Sequence, residues 1–111
     1  MKRDTIIKMP AGRKMDELIA KKYFGYETYT DQLGVHHELI GEFVHVMPHY
    51  SERLSAAMTV FTSNKHSEVY LEKSNDEWFC MIGDDMKNCA TAETPQLAIC
   101  RAALIKVMEA R

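Results

Sequence analysis

The sequence predicts an α+β protein in which helices pack on a three-stranded antiparallel sheet, in the order α-α-β-β-β-α. Apolar residues recur every three or four positions in three segments, which is the period of an amphipathic helix. Between the second and the third of these segments lie three short extended runs separated by turn residues, which is typical of a β-meander. Because a meander must cover its apolar face, we expect the helices to lie on it.

The composition predicts one soluble globular domain over residues 1–111. A chain of 111 residues can build a single core, and 46% hydrophobic and 27% charged residues are ordinary values for such a domain. The three cysteines, Cys80, Cys89 and Cys100, form no CxxC pair, so they predict reduced thiols and a cytoplasmic location. With neither a secretory signal nor an apolar run of about 20 residues, no membrane association is expected.

The charge argues against one class of partner. A formal net charge of −2 does not suit a general nucleic-acid binder, which is normally clearly basic. The charge is nevertheless uneven, because residues 1–22 carry seven Lys/Arg against three Asp/Glu. This asymmetry is typical either of a solvated helix face or of charge-complementary self-association.

A short helical turn and one helix are predicted in the N-terminal part of the chain. Asp4 can cap the turn, which runs through Ile7 and ends before Pro10, because the residue before a proline avoids the α-helical region. The helix follows and stops at Gly25. Residues 26–47 are polar, aromatic and poorly periodic, so they predict a long loop or insertion, in which 42–47 can form one short strand.

The C-terminal part contains the predicted sheet between two further helices. Ser51 is the expected N-cap of the helix before the sheet. The strands are expected in 67–73, 77–83 and 88–93, with turn residues at 74–76 and 83–85. Thr94 caps the last helix, and Pro95 occupies its first position, where proline costs least.

Arg101 is the most unusual residue of the last helix, because it lies inside the apolar stripe. A guanidinium keeps its proton, so it must meet a carboxylate, cap backbone carbonyls, reach solvent at the edge of the stripe, or face a cavity that accepts an anion. We hypothesise the last of these: a site for an anionic ligand built by Arg101 and Arg13, helped by Tyr50 or His49. Arginine suits this role because it makes bidentate contacts with phosphate.

Ile99 is predicted to point away from the apolar stripe, with Ala102 and Ala103 beside it. Together these three residues suggest a self-association face and therefore a homo-oligomer.

No cofactor, metal or catalytic site is expected. His45 and His49 have i,i+4 spacing, but Pro48 prevents the helix that would bring them together. The sequence contains no glycine-rich phosphate loop, HExxH or GxSxG motif. The cysteines at 80 and 100 occupy core-like positions, where a thiol is normally inert.

Three blocks together, MPAGRKMDELIAKKYFG, PHYSERLSAAMTV and ATAETPQLAICRAAL, resemble the phage ABA-sandwich domain family. The resemblance covers most of the chain apart from about residues 26–47, where the insertion is longer than usual. Met58 also stands where the family pattern has tryptophan. The resemblance implies a phage origin and an α-β-α layered fold, and it carries over no catalytic residue.

These features lead to the hypothesis of a non-enzymatic phage accessory protein that acts by binding. One version is sequestration of a small anionic ligand, such as a cyclic nucleotide signal of host anti-phage defence, because a stoichiometric sponge needs only a pocket. The alternative is a protein–protein interaction module that binds and inhibits a host protein, for which an exposed helix face at Ile99 or the acidic turn at 84–85 would matter. A third version is an oligomeric structural or regulatory phage component.

Overall fold

The computed structural model describes residues 2–63, 68–83 and 86–109. The helices are α1 Arg3–Lys8, α2 Arg13–Leu18, α3 Leu54–Phe61 and α4 Pro95–Glu109, with a π-helical segment Ile19–Tyr23 after α2 and a 3-10 turn Met86–Asn88. The strands are β1 Glu27–Thr30, β2 His36–Ile40, β3 Phe43–Val46, β4 Val69–Ser74, β5 Glu77–Ile82 and β6 Cys89–Ala92. The α+β class is confirmed, and the described residues contain a second antiparallel sheet before α3.

The two N-terminal helices stop where the sequence predicts. α1 ends at Lys8, and Met9 adopts an extended conformation before Pro10. Asp4 lies in the first turn of α1, where its negative charge interacts favourably with the helix dipole. It makes no capping hydrogen bond, contrary to the prediction. Gly25, with φ of +79°, ends the helix that continues from α2 through the π-helical segment.

Residues 26–47 form a sheet, so the prediction of a loop or insertion there was wrong. β1, β2 and β3 lie in that order as an antiparallel sheet, which we call sheet A. Gly41, with φ of +64°, occupies the tight turn between β2 and β3, where Ile40 lies opposite Phe43. Only the short strand expected in 42–47 was predicted, and it is β3.

Strands β4, β5 and β6 form the predicted meander, which we call sheet B. Cys80 on the central strand lies opposite Leu71 and Ala90, and the side chains of this register face α4. Asn75 makes the first turn with φ of +57°, a value that asparagine tolerates better than most residues. Of the second predicted turn, Asp84 and Asp85 lie outside the described residues.

Helix α3 begins two residues later than expected. Its N-cap position is Arg53, which makes no side-chain capping bond, so the prediction that Ser51 caps this helix was wrong. The Ser51 hydroxyl is instead buried and bonds to groups of the loop before α2 and of α2 itself.

Helix α4 is the centre of the fold. It packs on β5 and β6 of sheet B, and also contacts α1, the π-helical segment and α3. The Thr94 hydroxyl accepts a hydrogen bond from Leu97 N–H at 3.3 Å, which confirms the predicted cap. None of the helices in the described ranges is long and apolar enough to span a membrane.

The predicted self-association face lies inside this core. Ile99, Ala102 and Ala103 are each 0% exposed, so the prediction that they form a surface for self-association was wrong. The prediction assumed that α4 has one face in solvent, opposite the apolar stripe. A helix that is covered from several directions buries apolar residues all round. Whether the protein forms a homo-oligomer stays a prediction.

Candidate functional site

Arg101 caps backbone carbonyls, which is one of the four arrangements open to a guanidinium in an apolar stripe. Its Nε and Nη2 donate to the carbonyl oxygen of Met9 at 3.3 and 2.9 Å, and Nη1 donates to that of Thr91 at 3.0 Å. Burial lowers the pKa of the guanidinium, and the Glu93 carboxylate opposes this shift. The side chain therefore joins α4 to the segment after α1 and to β6. All three nitrogens of its guanidinium group donate to backbone carbonyls of the protein itself.

Arg13 and His49 lie together, as the predicted site requires, but in a network internal to the protein. Arg13 donates to Asp16 Oδ2 at 3.3 Å, to the carbonyls of Met47 and Pro48, and lies 3.0 Å from His49 Nε2. Asp16 is completely buried. No described contact links this network to Arg101, so the four predicted residues do not form one site.

The buried Asp16 carboxylate connects α2 to the loop before α3. Its Oδ1 accepts hydrogen bonds from the Ser51 backbone N–H at 2.8 Å and from the Ser51 hydroxyl at 2.7 Å. The same hydroxyl oxygen accepts the N–H of Gly12 at 2.9 Å. We call Gly12, Arg13, Asp16, His49 and Ser51 the Asp16 network.

Asp16, His49 and Glu52 bring three potential metal ligands within 4.8 Å of one another. No sequence pattern indicates this cluster, because Asp16 is far from the histidine in the chain. The Arg13 guanidinium, however, already lies against both the Asp16 carboxylate and the imidazole Nε2. A metal ion would have to displace this resident cation, so the geometry favours a structural role for the cluster.

Tyr50 is buried and is not open to a ligand, contrary to the site predicted for it. Its hydroxyl lies 3.0 and 2.9 Å from the two carboxylate oxygens of Glu38, which is only 2% exposed. His45 Nε2 lies 3.4 Å from Glu38 Oε1. Burial raises the pKa of Glu38, with hydrogen bonds from Tyr50 and the charge of His45 opposing the shift, and burial next to Glu38 raises the pKa of Tyr50.

The two buried cysteines are not activated nucleophiles. Burial raises the pKa of Cys80 to about 12 and places that of Cys100 well above its usual value. Neither thiol is therefore ionised near neutral pH, and only the third cysteine, Cys89, is partly exposed.

Two surface depressions differ in charge. One of about 590 Å³ lies on the outer side of sheet B and is lined by Glu72, Ser74, Asn75, Asp76, Glu77, Phe79 and Thr91. Its carboxylates repel phosphate. Another of about 380 Å³ is lined by Thr5, Lys8, Met9, Pro10 and Lys14. Among the described residues neither of these two lysines has an ion-pair partner, so this depression is the one that suits an anion.

Sheet A leaves one face uncovered. Glu38, Thr28 and His45 share the face that meets Tyr50, because they lie opposite one another in the register. The other face carries Glu27, Tyr29, His37, Leu39, Val44 and Val46, and we call it the outer face of sheet A. Tyr29, Val44 and Val46 are 46%, 51% and 56% exposed.

The apolar character extends beyond the strands of sheet A. Leu33 and Val35, in the turn between β1 and β2, are 90% and 37% exposed. Residues 23–52 contain no lysine or arginine, so this region lacks the cations that commonly guard exposed sheets. Contiguous exposed apolar surface of this kind marks interaction sites in soluble proteins.

The sequence signal for this surface was present but weak. Turn residues at Gly34 and Gly41 divide the segment into runs of strand length, and both glycines have positive φ. The runs do not alternate clearly between apolar and polar residues, because the inner face carries the buried Glu38 and the outer face carries exposed valines. Nothing in the sequence marks Glu38 as a buried carboxylate.

The comparisons with known proteins agree with the fold. The family model described as the Phage ABA sandwich domain matches residues 17–104, and it is the family that the three sequence blocks resemble. Among solved structures, the chain is similar to a phage protein from Bacillus cereus ATCC 14579, at 25% identity and a TM-score of 0.69, over 91% of this chain and 93% of that chain. No curated protein matches the chain.

Proposed function

Because this chain belongs to the phage ABA sandwich domain family, we propose that it is a non-enzymatic phage accessory protein that acts by binding another protein on the outer face of sheet A. The observation that supports this proposal is the exposed apolar surface formed by Tyr29, Val44 and Val46 around the half-buried Leu39. The polar residues predicted to hold a ligand are instead occupied within the fold.

The outer face has the composition of an interaction surface. Tyrosine is enriched among the residues that dominate binding energy, and valines around it supply apolar area worth about 25 cal/mol for each Å² removed from water. The Tyr29 ring is already positioned, since it stacks on His37 with a centroid distance of 4.9 Å and an interplanar angle of 16°. A partner therefore meets a preformed platform, which lowers the entropy cost of binding.

Site-specific photocrosslinking tests this proposal and identifies the partner in the same experiment. Tyr29 is replaced by the photoreactive residue p-benzoylphenylalanine, and the protein is irradiated in a bacterial host cell. We expect a covalent adduct with a protein other than this chain, identified by mass spectrometry. Adding Val44→Glu to the same chain should remove the adduct, because a charge on the outer face opposes apolar burial.

Tyr70 provides a matched control. It is also 46% exposed, but it lies on sheet B, where the same photoreactive residue should give no such adduct. The proposal is wrong if the position-29 probe captures no protein, or if the probes at 29 and 70 capture the same proteins equally.

A second candidate, sequestration of a small anionic ligand such as a cyclic nucleotide, is favoured by one observation. The depression lined by Thr5, Lys8 and Lys14 combines two lysines with a hydroxyl and no carboxylate. It ranks second because lysine makes no bidentate contact with phosphate, and because Arg13 and Arg101 are engaged elsewhere.

A thermal-shift screen with cyclic dinucleotides, cyclic trinucleotides and cyclic ADP-ribose isomers tests the second candidate. A ligand at 100 times its Kd stabilises the native state by about 2.7 kcal/mol, which raises the Tm by several degrees. Lys8→Ala with Lys14→Ala should abolish the shift, whereas Lys22→Ala, at an exposed lysine outside the depression, should preserve it. Sequestration at this site is rejected if no compound shifts the Tm or if the double variant shifts like the wild type.

A further inference from the structure

Strand β3 is an edge of sheet A that lacks the usual protection. Phe43, Val44 and Val46 are 76%, 51% and 56% exposed, and the His45 side chain is 50% exposed. Natural edge strands are commonly guarded by lysine, proline or a bulge. β3 contains neither residue type, and its pairing with β2 runs without a bulge from Phe43 to Val46. Such an edge is a template for another strand.

The backbone pattern shows which groups face the open edge. Met47 N–H donates to the carbonyl of His36 at 2.9 Å, so residues 43, 45 and 47 direct their backbone groups toward β2. Val44 and Val46 alternate with them. The backbone N–H and C=O groups of Val44 and Val46 therefore point away from β2, toward the open edge of the sheet. The side chains of the same two valines lie on the outer face.

We propose that a second copy of this chain pairs with β3, strand against antiparallel strand, about a two-fold axis at His45. In this register Val44 of each copy lies opposite Val46 of the other copy, which gives two such pairs. The outward N–H and C=O groups of these valines then form four hydrogen bonds between the copies. The two three-stranded sheets become one sheet of six strands.

The neighbouring registers are worse for specific reasons. Moving the axis to Val44 places Glu42 opposite Val46 and leaves a carboxylate within the paired stretch. Moving it to Val46 places Pro48 opposite Val44, and proline has no N–H to donate. Only the axis at His45 pairs both exposed valines with each other.

Symmetry and charge favour a second copy over a foreign strand. An antiparallel edge is its own complement about a two-fold axis, which is the commonest symmetry of homo-oligomers. Residues 23–52 contain no lysine or arginine, so pairing of the two copies brings no basic side chains of this segment together. The two His45 side chains face each other, and each lies 3.4 Å from the carboxylate of Glu38 in its own chain, so each imidazole has an acidic neighbour within its own copy.

The exposed side chains of β3 set an upper limit on the side-chain area that this pairing can bury. They amount to roughly 400 Å² per copy, about half of the ~800 Å² that each partner of a stable complex buries. We therefore expect a reversible dimer that forms at high protein concentration. The pairing depends on the backbone groups of β3, whereas the proposed function depends on the side chains of the outer face, so the disulfide trap and the photocrosslinking experiment can give opposite results.

A disulfide trap tests the register. Residues opposite each other in a non-hydrogen-bonded antiparallel pair have Cα atoms about 4.5 Å apart, within disulfide range. In a chain with Cys89→Ser, we expect His45→Cys to form a covalent dimer on mild oxidation. Thr30→Cys, on the exposed edge strand β1, should stay monomeric under the same conditions. No covalent dimer from the position-45 variant, or equal dimer from both variants, overturns the proposal.

Removal of one outward N–H tests the hydrogen bonds. Val46→Pro deletes an N–H that points away from β2, which an edge strand tolerates. Thr30→Pro is its match on β1, since Asp31 N–H bonds to Val35 and residue 30 therefore also points outward. Sedimentation equilibrium from ~1 µM to ~1 mM should show dimerisation weakened at least tenfold by Val46→Pro and unchanged by Thr30→Pro.

Two sedimentation results reject the dimer: a wild type that is monomeric at ~1 mM, or a Val46→Pro variant that associates like the wild type. Circular dichroism checks that both proline variants are folded. If Val46→Pro does not fold, the disulfide trap decides, because it leaves the backbone hydrogen bonds in place.

Discussion

Arginine side chains connect segments that are far apart in the sequence by donating to backbone carbonyls. Arg101 joins α4 to Met9 and Thr91, and Arg13 joins α2 to Met47 and Pro48. Arg3 contributes a similar contact from α1 to Cys89, at 3.1 Å. Carbonyls in irregular segments and on the open edge of β6 lack partners in a helix or sheet, and the planar guanidinium can satisfy several of them at once.

Asp16 provides the most direct stability test at the residue scale. Asp16→Ala leaves the Ser51 N–H and hydroxyl without their acceptor and removes the carboxylate beside Arg13. We expect the free energy of unfolding to fall by about 3 kcal/mol, measured by urea denaturation with an unchanged m-value.

The control is Glu17→Ala on the same helix, which breaks only an exposed pair with Lys21 and should cost less than about 0.5 kcal/mol. Equal losses from the two variants would show that the Asp16 network does not stabilise the fold.

Sequence reasoning identified several of these residues but not their role. Arg13 was selected because arginine makes bidentate contacts with phosphate, with His49 and Tyr50 as helpers, and the structure brings Arg13 next to His49. Their partners are backbone carbonyls and a buried glutamate, however. A carbonyl is present at every position of a sequence, so its availability depends on the tertiary fold and cannot be predicted from side-chain type.

At the scale of elements, sheet A is tied to the rest of the molecule by a buried polar contact. Tyr50 precedes α3 and donates to the Glu38 carboxylate of β2. The Phe24 ring lies beside this contact, with its centroid 5.7 Å from that of Tyr50. The contact fixes the inner face of sheet A and leaves the outer face in solvent.

The raised pKa of Glu38 predicts a pH-dependent stability. Because the folded state binds the Glu38 proton more tightly than the unfolded chain does, the contribution of this group to stability falls as the pH rises above its usual pKa of 4.5. Glu38→Gln removes this titration. Relative to the wild type, its free energy of unfolding should therefore increase as the pH rises above 4.5.

Urea denaturation at a series of pH values between 4.5 and 8 measures this difference. Glu42→Gln, at an exposed glutamate in the next turn, should give a difference that does not change with pH. A constant difference for Glu38→Gln as well would contradict the assignment of the titration to Glu38.

The two sheets show why one element was predicted and the other was not. β5 combines apolar residues on both sides with clear turns at its ends, so EWFCMI identifies a central strand. β1 and β2 combine threonine, histidine and glutamate with few apolar residues, because sheet A buries only part of one face. A strand that contributes little to a core carries little of the periodicity from which strands are predicted.

For the whole molecule, α4 is the element around which the other layers pack. Its alanines at 98, 102 and 103 are completely buried, and their small side chains allow sheet B and the helices to approach it closely. The sequence predicted the extent and the cap of this helix correctly. It did not predict the burial of Ile99, because a single chain does not reveal how many neighbours a helix has.

Ile99→Ala distinguishes a core position from an interface. We expect the free energy of unfolding to fall by about 2–5 kcal/mol, the usual cost of truncating a buried isoleucine, with no change in molar mass by light scattering. Ile7→Ala on α1, where the side chain is 37% exposed, should cost less than about 1 kcal/mol. A change of assembly without loss of stability would restore the interface interpretation.

The uncovered face of sheet A has a consequence for how such a protein can change over generations. A substitution at Val44 or Val46 alters the exposed surface while removing few contacts from the interior. Substitutions at the buried positions of α4 are constrained by close packing. Under the proposed function, the binding surface on sheet A can therefore change in sequence while the scaffold that carries it remains intact.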